Sequence, residues 1–149
     1  MDNVNEARAA QDIRDSAAFV VRQLTAKYPE VHLKRALAIE LQARGFLAHA
    51  EAQIPTWYRA SDGRVHAICN DRVDILAIRD GVRILIECKK GQATQSALST
   101  GHLQLERYAN NCRTNGINIH FRVLVFFDPN GLVVDFKYDI PPPQMRFAP

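Results

Sequence analysis

The stretch that decides the fold is Val73-Asp74-Ile75-Leu76-Ala77-Ile78-Arg79-Asp80-Gly81-Val82-Arg83-Ile84-Leu85-Ile86-Glu87-Cys88-Lys89. Two apolar runs of strand length flank Asp80-Gly81, a dipeptide that favours the two-residue hairpin turn. The spacing predicts two antiparallel strands. Side chains alternate faces along a strand, so Glu87 and Lys89 share one face and Ile84, Ile86 and Cys88 share the other. The second face reads as core. Asp74, Glu87 and Lys89 therefore gather near one end of an apolar hairpin. Charge placed there is costly unless it pairs or holds a metal.

Upstream, Ile13, Ala17, Val20 and Leu24 recur at helical spacing and predict a helix over about residues 7–26. Pro29 suits the first turn of a second helix, with Leu33, Leu37 and Leu41 as its stripe and Gly45 as its stop. Residues 46–58 read as a strand bent at Pro55, and Ser61-Asp62-Gly63 as a turn. Residues 92–100 read as a connection, and a helix follows over about residues 102–113. Strands are expected at residues 119–127 and 132–138, separated by Asp128-Pro129-Asn130-Gly131. Pro141-Pro142-Pro143 opens a Pro-rich tail over residues 141–149. The predicted order is α-α-β-β-β-α-β-β, an α/β domain with a central mixed sheet flanked by helices.

The 149 residues suit a single domain. A content of 47% hydrophobic and 23% charged residues is that of an ordinary globular chain, with no apolar run of membrane-span length. The start, Met1-Asp2-Asn3-Val4-Asn5-Glu6, is polar and acidic and lacks the pattern of a secretory signal. An intracellular protein that is not secreted, and a reducing compartment, are expected. Cys69, Cys88 and Cys112 agree, being odd in number and without a CxxC pair. The net charge of +3 excludes a strongly basic coat for nucleic acid. Residues 27–149, with 16 basic and 12 acidic side chains, still permit phosphate contacts.

Two carboxylates, Asp74 and Glu87, with the backbone carbonyl of Cys88 offer hard oxygen ligands for Mg²⁺ or Mn²⁺. Such an ion can acidify a water and neutralise charge on a phosphate, and Lys89 beside it can stabilise the developing charge. The residue types fit phosphodiester hydrolysis. A Glu/Lys pair is also a common surface salt bridge, and an acid often ends a strand.

Asp74, a dozen residues, then Glu87-Cys88-Lys89 resembles the D…(D/E)xK core of the PD-(D/E)XK nuclease superfamily. Residues 29–41 resemble the helix that names its GxxExxY group. Glu30 falls on the motif glutamate, with Ala36-Leu37 and Glu40-Leu41 in register; Lys27 and Leu33 stand where the motif has glycine and tyrosine. Gln53-Ile54-Pro55 is similar to the group's Gln-x-Pro strand, and residues 102–108, with Gln104 and Tyr108, to its His-x-x-Gln-x-x-x-Tyr helix. The resemblance runs from about residue 28 to 127. It implies a restriction-endonuclease-like core and a Mg²⁺-dependent deoxyribonuclease, endo- or exonucleolytic, for repair, recombination or mobile-element processing. It implies catalytic roles for Asp74, Glu87, Lys89, Glu30 and Gln104.

On the helix Glu30 lies on the stripe of Leu33, Leu37 and Leu41, aimed at the sheet end, as a metal ligand or as a favourable charge at a helix N-terminus. Gln104 reads equally as a capping or solvated amide, and Tyr108 as packing. Lys34, Arg35, Arg72, Lys90 and Arg107 surround the site in sequence as phosphate contacts or as ordinary surface charges. DNA is the expected partner, and nothing in the sequence excludes RNA. A homodimer would extend the reach over a duplex. The alternative is a nuclease-fold module with little or no cleavage, serving nucleic-acid binding or protein assembly.

Overall fold

A computed structural model describes residues 2–138 of the chain; the Pro-rich tail expected at residues 141–149 lies outside them. The elements run α1 (Asp2–Leu24), α2 (Glu30–Ala43), β1 (Leu47–Arg59), β2 (Val65–Arg79), β3 (Val82–Lys90), α3 (Gln95–Thr114), β4 (Phe121–Phe127) and β5 (Val133–Tyr138). This is the predicted order. Asp80 and Gly81 both take positive φ, 53° and 77°, while Arg79 pairs with Val82. That combination is the two-residue turn matching the right-handed twist of its strands.

The strands form one open sheet in the order β1-β2-β3-β4-β5. Every pairing is antiparallel except β3 with β4, which run parallel. Parallel neighbours need a crossover, and α3 supplies it. Helices α1 and α2 cover one face over Ile75, Ala77, Ile84, Ile86, Val123 and Val125. Helix α3 covers the other over Leu85, Leu124 and Phe126. The central strands are thus apolar on both faces, so the Glu87–Lys89 face is core as well, with Leu85 fully buried.

Three boundaries differ from expectation, each for a local reason. Helix α1 starts at Asp2, ahead of the periodic stripe: Val4 is exposed and the first core contacts come at Ala9 and Ala10. Helix α3 starts at Gln95, not near residue 102. The Thr94 side chain caps it by accepting from the Ala97 N–H at 3.1 Å. Gly101 lies inside this helix and lets it settle onto β4. Strand β2 starts at Val65, eight residues before the apolar run; residues 65–70 are exposed throughout and show no alternation that would mark a strand.

A Cβ on Gly101 would meet Leu124 Cδ1 at 2.7 Å, and Leu124 is fully buried. Gly101→Val is therefore expected to destabilise the protein by about 2 kcal/mol through overpacking. Thermal unfolding checks this, with Gly101→Ala as the milder comparison; a Val variant as stable as wild type would show that α3 can lift from the sheet without cost.

Candidate functional site

The site is built where β2 parts from β3. Their ladder ends at Ile75↔Ile86, yet β2 continues to pair with β1 through Val73↔Ala52 and beyond. Ile75 packs under α1 and α2, whereas Val73 packs on the α3 side. Residues two apart on a regular strand share a face, so β2 turns about its axis at Asp74. Glu51, opposite this point on β1, has φ 54°.

Side chains take over where the backbone ladder stops. Asp74 Oδ2 accepts from the Cys88 N–H at 2.8 Å, and Glu87 Oε1 accepts from the Asp74 N–H at 2.8 Å. Each carboxylate is held by a peptide of the opposite strand, so their separation is set by backbone. The Cys88 thiol is buried in the core and burial pushes its pKa up; its peptide stands between the two acids.

Glu87 is 4% exposed. Burial first, and then the charge of Asp74, raise its pKa to about 7, against the lowering effects of the Asp74 N–H, Lys89 and Lys34. Lys89 Nζ lies 3.9 Å from Glu87 Oε2, on the same strand face. Lys34 reaches in from α2 and donates to Asp74 Oδ1 at 3.0 Å, with Glu51 Oε2 at 3.5 Å. Burial would lower the Lys34 pKa, but the bond to Asp74 and the charges of Asp74, Glu51 and Glu30 raise it overall. From the opposite layer, Gln104 donates to the Tyr108 hydroxyl at 2.7 Å. Tyr108 is buried; burial and then the Glu87 charge raise its pKa, which places the hydroxyl within electrostatic reach of that carboxylate.

The structure gathers Asp74, Glu87, Lys89 and the Cys88 peptide as the sequence implied. Glu30 lies at the same sheet end, but its Oε1 accepts from the Lys90 N–H at 3.0 Å and anchors α2 to β3. Lys90 Nζ donates to the Lys27 carbonyl. Lys34 belongs to the acidic cluster rather than to the solvent face. Arg35 is exposed, Arg72 lies 3.9 Å from Glu51, and Arg107 pairs with Asp71 at 3.2 Å. Glu40 is bound by Arg44 within α2.

The sequence reading missed Glu51 and the inward turn of Lys34. Glu51 sits in a mixed stretch, and a positive φ for glutamate leaves no mark in the sequence. Among the described residues, no three His, Cys, Asp or Glu side chains converge as a ready-made metal group. The donor chemistry nevertheless fits a hard divalent cation. Two interlocked carboxylates, one of them resisting ionisation, are what such a charge would relieve.

No family model and no curated protein matches this chain. Among solved structures it is similar to the crystal structure of SSO0001, at 19% identity and a TM-score of 0.52. The likeness covers 88% of this chain and 63% of that one, so this chain spans less than two thirds of its length. It is a likeness of fold. No helix among the described residues is long and apolar enough to cross a membrane.

Proposed function

We propose that this protein is a metal-dependent nuclease that hydrolyses phosphodiester bonds in DNA. The observation that carries the reading is the interlock of Asp74 and Glu87 at the end of the β2–β3 ladder, with Lys89 3.9 Å from Glu87 on the face it shares. Asp74 and Glu87, with the Cys88 carbonyl and Glu30, are the groups that would hold Mg²⁺ or Mn²⁺. Bound there, the ion supplies charge neutralisation at the phosphate and a more acidic water. Lys89 offers a cation to the charge that develops on the attacked phosphate. On the α3 side, the Tyr108 hydroxyl, bonded to Gln104, feels the charge of Glu87.

One observation favours a second reading. Lys34 already neutralises Asp74, and Glu30 already has a backbone partner. A module that keeps the fold for binding or assembly, without cleavage, would be satisfied in this way.

Calorimetric titration with Mn²⁺ separates the two. Wild type is expected to bind one ion, and Asp74→Asn to bind it at least tenfold more weakly. Wild type is expected to cleave plasmid DNA only with the metal present, and a parallel digest of RNA reports which nucleic acid is preferred. Absence of Mn²⁺ binding in wild type would leave the non-catalytic reading standing.

A further inference from the structure

Strands β1 and β2 outrun the sheet. Beyond Val73 they pair only with each other, out to Arg59↔Val65, closed by the Ser61–Gly63 turn. Apart from the half-buried Ala60, every residue from 57 to 70 is exposed. At the rise of an extended strand this arm projects about 35 Å from Asp74, the length of about ten base pairs. An isolated two-stranded ribbon is marginally stable, and this one is braced at its base. Asn111, one turn after Arg107 on α3, donates to Thr56 Oγ1 at 3.0 Å and to Asp71 Oδ2 at 2.8 Å. The Asn115 side chain donates to the Pro55 carbonyl at 3.3 Å and accepts from the Trp57 indole N–H. The arm is therefore held at a set angle to the site, and it starts at the residue that carries the first carboxylate.

Its chemistry is one-sided. Of its acids, Asp71 is held by Arg107 and Asn111, while Asp62 in the turn is exposed, accepts from the Arg64 N–H and lies 3.9 Å from the Arg64 guanidinium. The cations remain outward. Arg64 is 80% exposed at its side chain, and Arg59 spends one N–H on the Gly63 carbonyl. Tyr58 and Ile68 stand 56% and 61% exposed among them. A ribbon carrying two exposed arginines, an aromatic ring and an apolar side chain suits the major groove of a duplex, which admits two strands.

We propose that the β1–β2 arm is a clamp for duplex DNA, gripping about ten base pairs to one side of the position served by Asp74 and Glu87. This rests on the nuclease reading for its geometry, but it is tested without cleavage. Fluorescence anisotropy of metal-free, full-length protein on a 30-base-pair duplex gives the dissociation constant across a salt series. Replacing Tyr58, Arg59 and Arg64 together by Ala is expected to weaken binding at least tenfold. The loss of two phosphate contacts should lower the salt slope by about two.

With wild type alone, an 8-base-pair duplex is expected to bind at least tenfold more weakly than a 20-base-pair one. This arm of the experiment stands even if the triple variant misfolds. The clamp is overturned by unchanged affinity and slope in a folded triple variant, by equal binding of the short and long duplexes, or by wild type that binds no duplex in low salt. A triple variant that changes sedimentation from dimer to monomer while keeping its DNA affinity also overturns it, assigning the arm to self-association. An arm-dependent duplex affinity together with no metal-dependent cleavage would instead sink the nuclease reading and leave the clamp in place.

Discussion

Lys89→Ala is expected to slow metal-dependent cleavage of plasmid DNA by about 10²–10³-fold, the usual cost of removing one group that stabilises transition-state charge. The fold should scarcely notice. The Lys89 side chain is 38% exposed and makes one loose ionic contact, with Glu87 at 3.9 Å. A contact this long, with its lysine end facing solvent, contributes little to stability. Unfolding temperature and Mn²⁺ affinity should therefore stay close to wild type. A variant that cuts as fast as wild type would show that the activity comes from a contaminant or from another site. A variant that instead unfolds far more easily would recast Lys89 as a structural cation.

The second large effect is on stability against pH. Glu87 titrates near pH 7 in the fold, against an ordinary value of 4.5. Between those values the folded protein holds a proton that the unfolded chain has released. Stability of the metal-free protein must then fall as pH rises through that window, and level off above it. The loss at pH 8 is on the order of 3 kcal/mol, or roughly 5–10 °C in unfolding temperature. Glu87→Gln keeps an oxygen acceptor for the Asp74 N–H while removing the charge, so it should be more stable than wild type at pH 8 and nearly equal at pH 5. Adding Mn²⁺ at pH 8 should raise wild type and leave the Gln variant in place. A wild type that tracks the Gln variant from pH 5 to 8 would refute a high-pKa acid at this position.

Much of this site was legible because charge inside an apolar strand is conspicuous. Asp74, Glu87 and Lys89 stood out against Ile75, Ile84 and Ile86, and Asp80-Gly81 fixed which strand lay beside which. Glu30 was placed at the correct sheet end by helical spacing alone, since Leu33, Leu37 and Leu41 are all buried. Its partner, the Lys90 N–H, was not foreseeable because it lies sixty residues away. Lys34 on Asp74 is hidden for the same reason: it depends on how α2 crosses the sheet, which no local pattern encodes. The outgoing strand and the turn of the arm were legible at residues 46–58 and 61–63, but the returning strand was not, because strand reading relies on one dry face and residues 65–70 have none. The early turns of α3 read as a connection over residues 92–100, and Gly101 within them is the close-packing residue over Leu124.

The interlock at the end of the ladder bears on how such a protein can decay over generations. Asp74 and Glu87 each close a backbone hydrogen bond that the strands themselves leave open. Selection for a folded chain alone would keep an oxygen acceptor at each position long after any cutting had ceased, and Gln would serve at position 87 as well as Glu. Lys89 closes no such bond and is free to drift once nothing is being cut. Among descendants of this chain, retained oxygen acceptors at positions 74 and 87 would report a surviving architecture, whereas the lysine at position 89 would report a surviving reaction.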